Sequence, residues 1–250
     1  MKPYYDEGGI TIYNGDCLEV MADLSESFDM AFTSPPYNLG TGPGGGTGKK
    51  NDTKWRKASR EGGLAHGYDT CDDNMSLEDY EDWQRDVLRS LWTLTTGAIF
   101  YNHKPRPWKG EIWLPLRLNP DLPLRQIIIW SRSGGINFNA SHYVNMHEWI
   151  MVMARSGWKL KSQGASGVGD VWHVTQESGN EHPAPFPISL PAKAIESAAP
   201  RSIIDPFSGS GTTMRAAKDA GIRGVGIELS ERYCEMAVNR LAQESLFANV

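Results

Sequence analysis

The sequence has few cysteines and no long apolar stretch, and these two scarcities exclude several protein classes. Its three cysteines, Cys17, Cys71 and Cys234, form no C-x-x-C pair and no Cys/His cluster with metal-ligand spacing. The sequence therefore predicts neither a disulfide framework nor a zinc site. No segment approaches the roughly 18 to 20 uninterrupted apolar residues that span a bilayer, and the N-terminus has no apolar signal core. We expect a soluble cytoplasmic protein with reduced thiols.

Two glycine-rich segments lack residues that phosphate-binding loops require. GPGGGTGKK at residues 42–50 has Pro43 where G-x-x-x-x-G-K-[ST] needs its first glycine, and Lys50 where it needs Ser or Thr. SIIDPFSGSGTTMR at residues 202–215 has Met214 in place of the third glycine of G-x-G-x-x-G. This substitution disfavours a nicotinamide oxidoreductase.

Positive charge is concentrated in one loop of a chain whose net charge is −5. A local cationic loop can bind a polyanion even on an acidic protein, whereas a solvated loop without a ligand is the structural alternative. The loop also lies in a glycine-rich stretch, residues 39–73, that is long enough to indicate a functional or disordered segment. The basic residues are Lys49, Lys50, Lys54, Arg56, Lys57 and Arg60.

Short β-branched apolar runs alternate with helical stretches along the chain. Nearly continuous apolar runs suit strands buried on both faces, so the pattern predicts an α/β fold with a mostly parallel sheet and helices on both faces. Residues 104–123, rich in proline, are expected to be irregular and to contribute substrate contacts. The predicted strands are 10–13, 30–33, 98–101, 126–130, 149–154, 202–204 and 224–227, and the predicted helices are 76–93, capped by Ser76, 212–220, and 231–247, capped by Ser230.

An acidic residue ends the strand that precedes the glycine turn at residues 207–211. In doubly wound sheets, a nucleotide-like ligand binds at such a turn, where glycines allow close approach and a helix N-terminus offers free N–H groups. Asp205 would repel phosphates but attract an ammonium group, which S-adenosylmethionine (SAM) carries. Glu228, at the end of the next strand, is placed to accept hydrogen bonds from ribose hydroxyls. The combination predicts a SAM site.

The tetrapeptide Ser34-Pro35-Pro36-Tyr37 follows another apolar strand. The two prolines hold an extended, rigid backbone. The Ser34 hydroxyl and the Pro35 carbonyl could accept the two hydrogens of an exocyclic amino group and stabilise the charge that develops as a methyl group arrives. Tyr37 offers a ring on which an extruded base can stack. A purely structural Pro-Pro turn is the alternative.

TSPPYN together with DPFSGSGTT resembles the amino-methylating DNA methyltransferases, and the motif order is similar to their β class. The resemblance implies a Rossmann-like SAM-dependent methyltransferase fold with circularly permuted motifs. It implies that GDCLEVM at residues 15–21 contacts the SAM adenine. It also implies that HPAPFPISL at residues 182–190 lies against the methionine end, with Phe186 replacing a usual lysine. The implied cofactor site comprises Asp16, Cys17, Phe186, Asp205, Pro206, Phe207, Gly209, Ser210, Gly211, Thr212, Thr213, Glu228 and Leu229.

The resemblance also implies a single catalytic domain, residues 1–250, that acts on double-stranded DNA. Recognition and DNA-binding loops are expected at about 39–75 and 103–148, where Trp108, Trp113, Arg132, Asn137 and Asn139 could contact bases or backbone. Dimers are common in the class, so a homodimer and a cognate restriction endonuclease are expected partners, in a bacterial, archaeal or phage-encoded protein.

Ser34 favours cytosine N4 over adenine N6, because adenine-specific members of the class commonly carry aspartate at this position. Both side chains accept hydrogen bonds, so adenine N6 stays the alternative. RNA or protein amino-methyltransferases share the Pro-Pro-aromatic chemistry, and a non-catalytic relative on the same fold is a further alternative.

Overall fold

The computed structural model describes residues 1–38, 75–132, 142–161, 164, 167–175 and 186–243. In this part of the chain, nine strands form one sheet and two more form a separate hairpin. The strands are β1 Tyr5–Glu7, β2 Ile10–Asn14, β3 Phe28–Thr33, β4 Thr95–His103, β5 Arg106–Trp108, β6 Glu111–Trp113, β7 Leu124–Ser131, β8 His147–Ala154, β9 Val171–His173, β10 Ser202–Asp205 and β11 Arg223–Glu228.

The large sheet has the order β1-β2-β11-β10-β3-β4-β8-β7-β9. The five strands from β2 to β4 in this order run parallel to one another, while β1 and β8 pair antiparallel at either side. Strand β7 pairs antiparallel with β8 and parallel with β9. The predicted α/β class with a mostly parallel sheet is therefore confirmed, and all seven predicted strands are present.

Helices cover both faces of the sheet, as predicted. Leu190, Met214 and Leu241 place α3, α4 and α5 on one apolar core, whereas Val20 and Leu88 place α1 and α2 on the other. None of the described helices combines the length and apolar character needed to cross a membrane. The helices are α1 Cys17–Asp23, α2 Leu77–Leu94, α3 Ser189–Ala198, α4 Thr212–Asp219 and α5 Glu231–Ala242.

A side-chain cap explains where one of the two predicted capped helices begins. Ser76 accepts a hydrogen bond from the Asp79 backbone N–H at 3.1 Å, which satisfies a free donor of α2 as predicted. Ser230 occupies the N-cap of α5 but its side chain makes no capping hydrogen bond. The predicted end of this last helix, residue 247, lies outside the described residues.

The structure corrects the prediction that residues 104–123 are irregular. This segment contains the β5–β6 hairpin and a 3₁₀ turn, Pro115–Leu118. Pro107 is tolerated because the hairpin has only two strands, so proline removes no bond from a central ladder. Three short elements, α1, β1 and β9, and the proline-containing α3 were not predicted, because their sequences are too short or too mixed for a clear period.

Candidate active site

Polar residues gather at the carboxyl ends of the parallel strands. Helices α3 and α4, which precede and follow β10, lie on the same face of the sheet as α5. Helix α2, which follows β3 in the described chain, lies on the opposite face. Strands β3 and β10 are neighbours in the sheet. A change of face between adjacent parallel strands opens a crevice at their carboxyl ends, which is the usual ligand site of such sheets.

A buried hydrogen bond joins the ends of these two strands. Thr33 Oγ1 donates to Asp205 Oδ1 at 2.7 Å, and the Phe207 backbone N–H donates to the same oxygen at 3.0 Å. Burial raises the pKa of Asp205 to about 6, although Thr213, Thr33 and the Phe207 N–H oppose this shift. The carboxylate is therefore costly to keep ionised in the absence of a cationic partner.

Three buried polar atoms at this site have no hydrogen-bond partner within the described residues. They are Asp205 Oδ2, Ser208 Oγ and Thr213 Oγ1, of which Thr213 Oγ1 lies near enough to the Asp205 carboxyl to lower its pKa but lacks the geometry of a hydrogen bond. Buried polar atoms are nearly always paired in folded proteins, so a cluster of unpaired ones indicates a missing ligand or water. A ligand with an ammonium group would satisfy the Asp205 oxygen and its charge together, so these residues fit SAM.

The glycine turn is fastened to the end of β11 by Glu228. One carboxylate oxygen of Glu228 accepts from the Gly209 N–H at 2.8 Å, and the other accepts from the Ser230 N–H at 2.8 Å. Burial and nearby Asp205 raise the pKa of Glu228, and the N–H donors oppose the shift. The Leu229 N–H also acts on this carboxylate, which has about four acceptor positions, so an acceptor position remains for a ligand hydroxyl.

Gly211 allows the turn to pack tightly against α5. Its φ is +80°, and a Cβ at this position would lie 2.7 Å from the Cβ of Ala237. The remaining residues of the predicted turn, Pro206, Phe207, Ser210, Thr212 and Thr213, lie between β10 and the first turn of α4, with Ser210, Thr212 and Thr213 buried. At position 211, only glycine fits without displacing α5.

Asp16 lies beside this turn because β2 pairs with β11. Its carboxylate caps α1, accepting from the N–H groups of Leu18 at 2.8 Å and Glu19 at 3.2 Å. Cys17 begins the helix and is buried, so the Asp16 side chain is the more accessible of the two. The same Asp16 oxygen accepts both bonds, which leaves its second oxygen for a ligand. These contacts are compatible with the predicted adenine contact, which stays a prediction.

Phe186 and Leu229 lie at two further positions of the predicted cofactor site. Phe186 packs on Phe32 with ring centroids 5.6 Å apart, so its side chain belongs partly to the core. Leu229 is 45% exposed directly after Glu228. The other residues of the 182–185 segment lie outside the described residues.

The tetrapeptide begins directly after Thr33, the last residue of β3. Ser34 Oγ lies 3.0 Å from Tyr37 Oη, and Tyr37 Oη donates to Glu148 Oε2 at 2.8 Å. Asn102, at the end of the adjacent strand β4, donates to Tyr37 Oη at 2.7 Å and to Glu148 Oε2 at 2.9 Å. One ring face of Tyr37 stacks on His103 with centroids 4.3 Å apart.

A second hydrogen-bond chain holds the backbone of the tetrapeptide. Tyr80 Oη donates to the Pro36 carbonyl at 2.8 Å and lies 2.8 Å from His103 Nε2. His103 Nδ1 accepts from the Lys104 N–H at 2.8 Å. Burial lowers the pKa of His103 to about 3, with Arg106 and Lys104 adding to this shift, and a neutral ring results.

Strand β8 supplies a residue that the sequence did not single out, Glu148. It is buried and pairs with Arg132 at 3.1 Å. Arg132 was predicted to contact DNA, which stays a prediction; its guanidinium binds Glu148, which in turn accepts from Tyr37 of the tetrapeptide. A carboxylate among apolar strand residues gives no local signal of function, because the strand pairing alone brings it to Tyr37.

The other predicted DNA contacts are only partly described. Trp108 is 38% exposed on the β5–β6 hairpin, whereas Trp113 is buried and packs beneath Arg106. Trp113 is therefore a structural residue. Lys49, Lys50, Lys54, Arg56, Lys57, Arg60, Asn137 and Asn139 lie outside the described residues.

The chain is similar to known proteins. The model of the DNA methylase family matches residues 28–239. The type II methyltransferase M.ScaI of Streptomyces caespitosus is 27% identical over 286 residues, which cover 98% of this chain and 85% of that protein. The structure of the PvuII DNA methyltransferase (cytosine-N4-specific) has a TM-score of 0.74 at 17% identity, with 98% of this chain and 90% of that chain covered.

A solved structure with a bound cofactor is also similar. A DNA modification methylase from Thermus thermophilus, complexed with S-adenosyl-L-methionine, has a TM-score of 0.62 at 23% identity, with 92% of each chain covered. At these identities the two structural neighbours establish a shared fold.

Proposed function

Because the chain belongs to the DNA methylase family, whose model covers residues 28–239, we propose that it methylates cytosine N4 in double-stranded DNA. SAM is the methyl donor of this family. Adenine N6 is the alternative acceptor, since its amino group has the same two hydrogens and the same delocalised lone pair. RNA and protein substrates are less well supported, because the relatives reported above are DNA methyltransferases.

The observation that carries the proposal is the adjacency of two sites with complementary chemistry. Asp205 carries a buried carboxylate oxygen, Oδ2, that has no hydrogen-bond partner in the described part of the chain and is suited to an ammonium group. Thr33 is hydrogen-bonded to this carboxyl, and Ser34 is the next residue. A methyl donor held at Asp205 would therefore lie beside an acceptor held at Ser34. Holding both reactants in one geometry is a major source of rate enhancement.

The residues of the glycine turn would hold SAM by its polar groups. Asp205 would bind the ammonium group, Glu228 would accept from the ribose hydroxyls, and Asp16 would face the adenine. When bound, SAM supplies a methyl group activated by its sulfonium. The protein's own contribution is to fix and desolvate the two reactants, and transfer goes directly to nitrogen, with no covalent cysteine intermediate.

The tetrapeptide would bind the amino group of an extruded base. Ser34 Oγ and the Pro35 carbonyl would each accept one amino hydrogen, which draws the nitrogen lone pair out of the ring as the methyl arrives. Tyr37, backed by His103, would support the base by stacking. Ser34 favours cytosine, in agreement with the specificity named for the PvuII neighbour.

The test is to incubate the protein with SAM and unmethylated duplex DNA, digest the DNA to nucleosides, and identify the product by mass spectrometry. N4-methylcytosine is expected. N6-methyladenine would overturn the choice of base, and the absence of any methylated DNA nucleoside would overturn the activity. The homodimer and the cognate endonuclease stay predictions that this assay does not address.

Two variants separate the roles of the two sites. Ser34→Ala should lower turnover by about 100-fold while SAM affinity stays within about twofold, because one transition-state hydrogen bond is lost. Asp205→Ala should weaken SAM binding by at least about tenfold. Equal damage to SAM binding in both variants would contradict this division, and calorimetric titration with SAM measures it.

A further inference from the structure

The polar groups around Ser34 form one connected hydrogen-bond network. Four side chains take part besides Ser34: Tyr37 from the tetrapeptide, Asn102 from β4, Glu148 from β8 and Arg132 from the end of β7. Every bond in it is 3.3 Å or shorter. Because some members can only donate and others can only accept, the direction of each bond can be assigned.

Glu148 fixes the direction at one end of the network. Its Oε1 is 3.1 Å from the Arg132 guanidinium, and its side chain is 6% exposed. Paired with this cation, Glu148 is a carboxylate with no proton to donate. Tyr37 Oη lies 2.8 Å from the other oxygen, Oε2, so the phenol proton must point to Glu148.

This assignment decides the orientation of the Ser34 hydroxyl. The phenol has one proton, and it is used by Glu148. The 3.0 Å contact between Ser34 Oγ and Tyr37 Oη can therefore be a hydrogen bond only if Ser34 donates. The Ser34 proton then points to Tyr37, and an oxygen lone pair of Ser34 is left that could accept an amino hydrogen.

Asn102 supports the same order. Its Nδ2 group faces Tyr37 Oη, Glu148 Oε2 and, at 3.3 Å, Ser34 Oγ, which can all accept. Turning the amide over would place Asn102 Oδ1 against the Glu148 carboxylate, which is repulsive. Asn102 Oδ1 is buried and has no partner within the described residues, so the amide gives up one bond to hold this orientation.

We propose, on the premise of the function proposed above, that Glu148 and Tyr37 are positioning residues that make the Ser34 hydroxyl an obligate hydrogen-bond acceptor. Aspartate at position 34 would accept without assistance. A serine hydroxyl can donate or accept, and donating its proton toward the amino nitrogen would compete for the lone pair that must attack the methyl group. The Glu148–Tyr37 pair removes this unproductive orientation before the substrate binds.

The first test compares Tyr37→Phe with wild type in steady-state methylation of duplex DNA. Phenylalanine keeps the ring for stacking and removes the hydroxyl that accepts the Ser34 proton, together with its bonds to Glu148 and Asn102. We expect kcat to fall about 10- to 100-fold, the effect of one misdirected transition-state hydrogen bond, while KM and SAM affinity change by less than about threefold. Unchanged kcat, or an equal loss of SAM affinity, would overturn the proposal.

Glu148→Gln tests the same order from the other end. Arg132 would hold the glutamine oxygen, which forces the glutamine NH2 toward Tyr37 and Asn102, two groups that currently donate. Tyr37 must then donate to Ser34, so kcat should fall at least as far as in Tyr37→Phe. The double variant should be no worse than the slower single variant, because both act through Ser34. Losses that multiply would contradict the proposal.

Tyr101→Phe is the matched control. Tyr101 lies on β4, the strand that carries Asn102, and this variant also removes a buried phenol hydroxyl. That hydroxyl donates to Gln84 Oε1 at 2.5 Å. Tyr101 has no bond to the Ser34 network among the described residues, so kcat should equal that of wild type. An equal loss of kcat in this variant would show that burial of a hydroxyl, and not its place in the network, is what matters.

A measurement without substrate keeps the proposal separate from the enzymatic activity. Tyrosine labelled with 13C at Cζ gives an NMR signal that is sensitive to whether the phenol donates to a carboxylate, and Tyr37→Phe assigns the Tyr37 signal by its loss. Glu148→Gln should shift it and Tyr101→Phe should leave it in place. An unshifted signal would refute the donor order even if wild type methylated DNA, whereas inactive wild type would refute only the proposed function.

Discussion

Replacing Asp205 by asparagine is expected to stabilise the protein without ligand and to weaken its binding of SAM. Asp205 is fully buried, and its Oδ1 accepts from Thr33 and Phe207. These two donors would hold the asparagine oxygen in the same place. The new amide nitrogen would replace Oδ2, which has no partner among the described residues, and could donate to Thr213 Oγ1.

The magnitude follows from the raised pKa of Asp205. The pKa rises from an ordinary 3.8 to about 6, chiefly through burial. An acid with a raised folded-state pKa binds its proton more tightly when folded, so stability is lost as the pH rises from about 4 to about 6. A shift of about two units corresponds to about 3 kcal/mol at pH 8, which Asp205→Asn should recover in large part.

Urea denaturation of the ligand-free protein at pH 8 and pH 5 measures this gain. The gain should be smaller at pH 5, where Asp205 in the folded protein is mostly protonated. Calorimetric titration should show SAM binding weakened about 30-fold, the cost of about 2 kcal/mol for losing a charged hydrogen bond. A variant that is less stable than wild type at pH 8, or that binds SAM normally, would refute the reasoning.

Asp29→Asn is a control with the opposite sign. Burial raises the pKa of Asp29, but the backbone N–H and the guanidinium of Arg201 outweigh it and leave the pKa below its ordinary value. This carboxylate is therefore favourable when ionised. Its replacement should lower the free energy of unfolding at pH 8, by a small amount because Arg201 is exposed.

Two further predictions concern the same site. The affinity of wild type for SAM should fall about tenfold for each pH unit below about 6, because Asp205 must lose its proton before it can bind an ammonium group. Titration calorimetry between pH 5 and pH 7 checks this, and an affinity that does not change with pH would contradict it. Gly211→Ala should lower the free energy of unfolding, measured by urea denaturation, by about 3 kcal/mol. The new Cβ would meet Ala237, and a φ of +80° is strained for alanine. Wild-type stability in this variant would show that α5 moves freely.

The sequence was sufficient to predict the α/β class, seven strands of the large sheet and the position of two acidic residues at strand ends. Buried parallel strands are continuous apolar runs, and the acidic residues Asp205 and Glu228 stand at their carboxyl ends, so the strand pattern itself placed both in one crevice. The family resemblance indicated the type of reaction, the methylation of an amino group. The glycine turn was recognisable because its conformation requires glycine at Gly211.

The environment of Ser34 could not be predicted in the same way. Asn102 and Glu148 lie 68 and 114 positions from Ser34 in the chain, on strands whose order in the sheet is not encoded in any local pattern. Strand β8 pairs antiparallel with β4, with Asn102 opposite Ile150, and only this register brings Glu148 near the tetrapeptide. A single sequence contains no signal for a register between distant strands.

Strand β3 couples the two halves of the site through consecutive residues. Successive side chains of a strand point to opposite sides, so Thr33 can bond to Asp205 while Ser34 turns to the network of Tyr37 and Glu148. Pro35 and Pro36 then prevent the chain from adjusting one contact without disturbing the other. Under the proposed function, a displacement of the Asp205 carboxyl would therefore reach the Ser34 hydroxyl through a single peptide unit, and a rigid tetrapeptide after β3 suits this coupling.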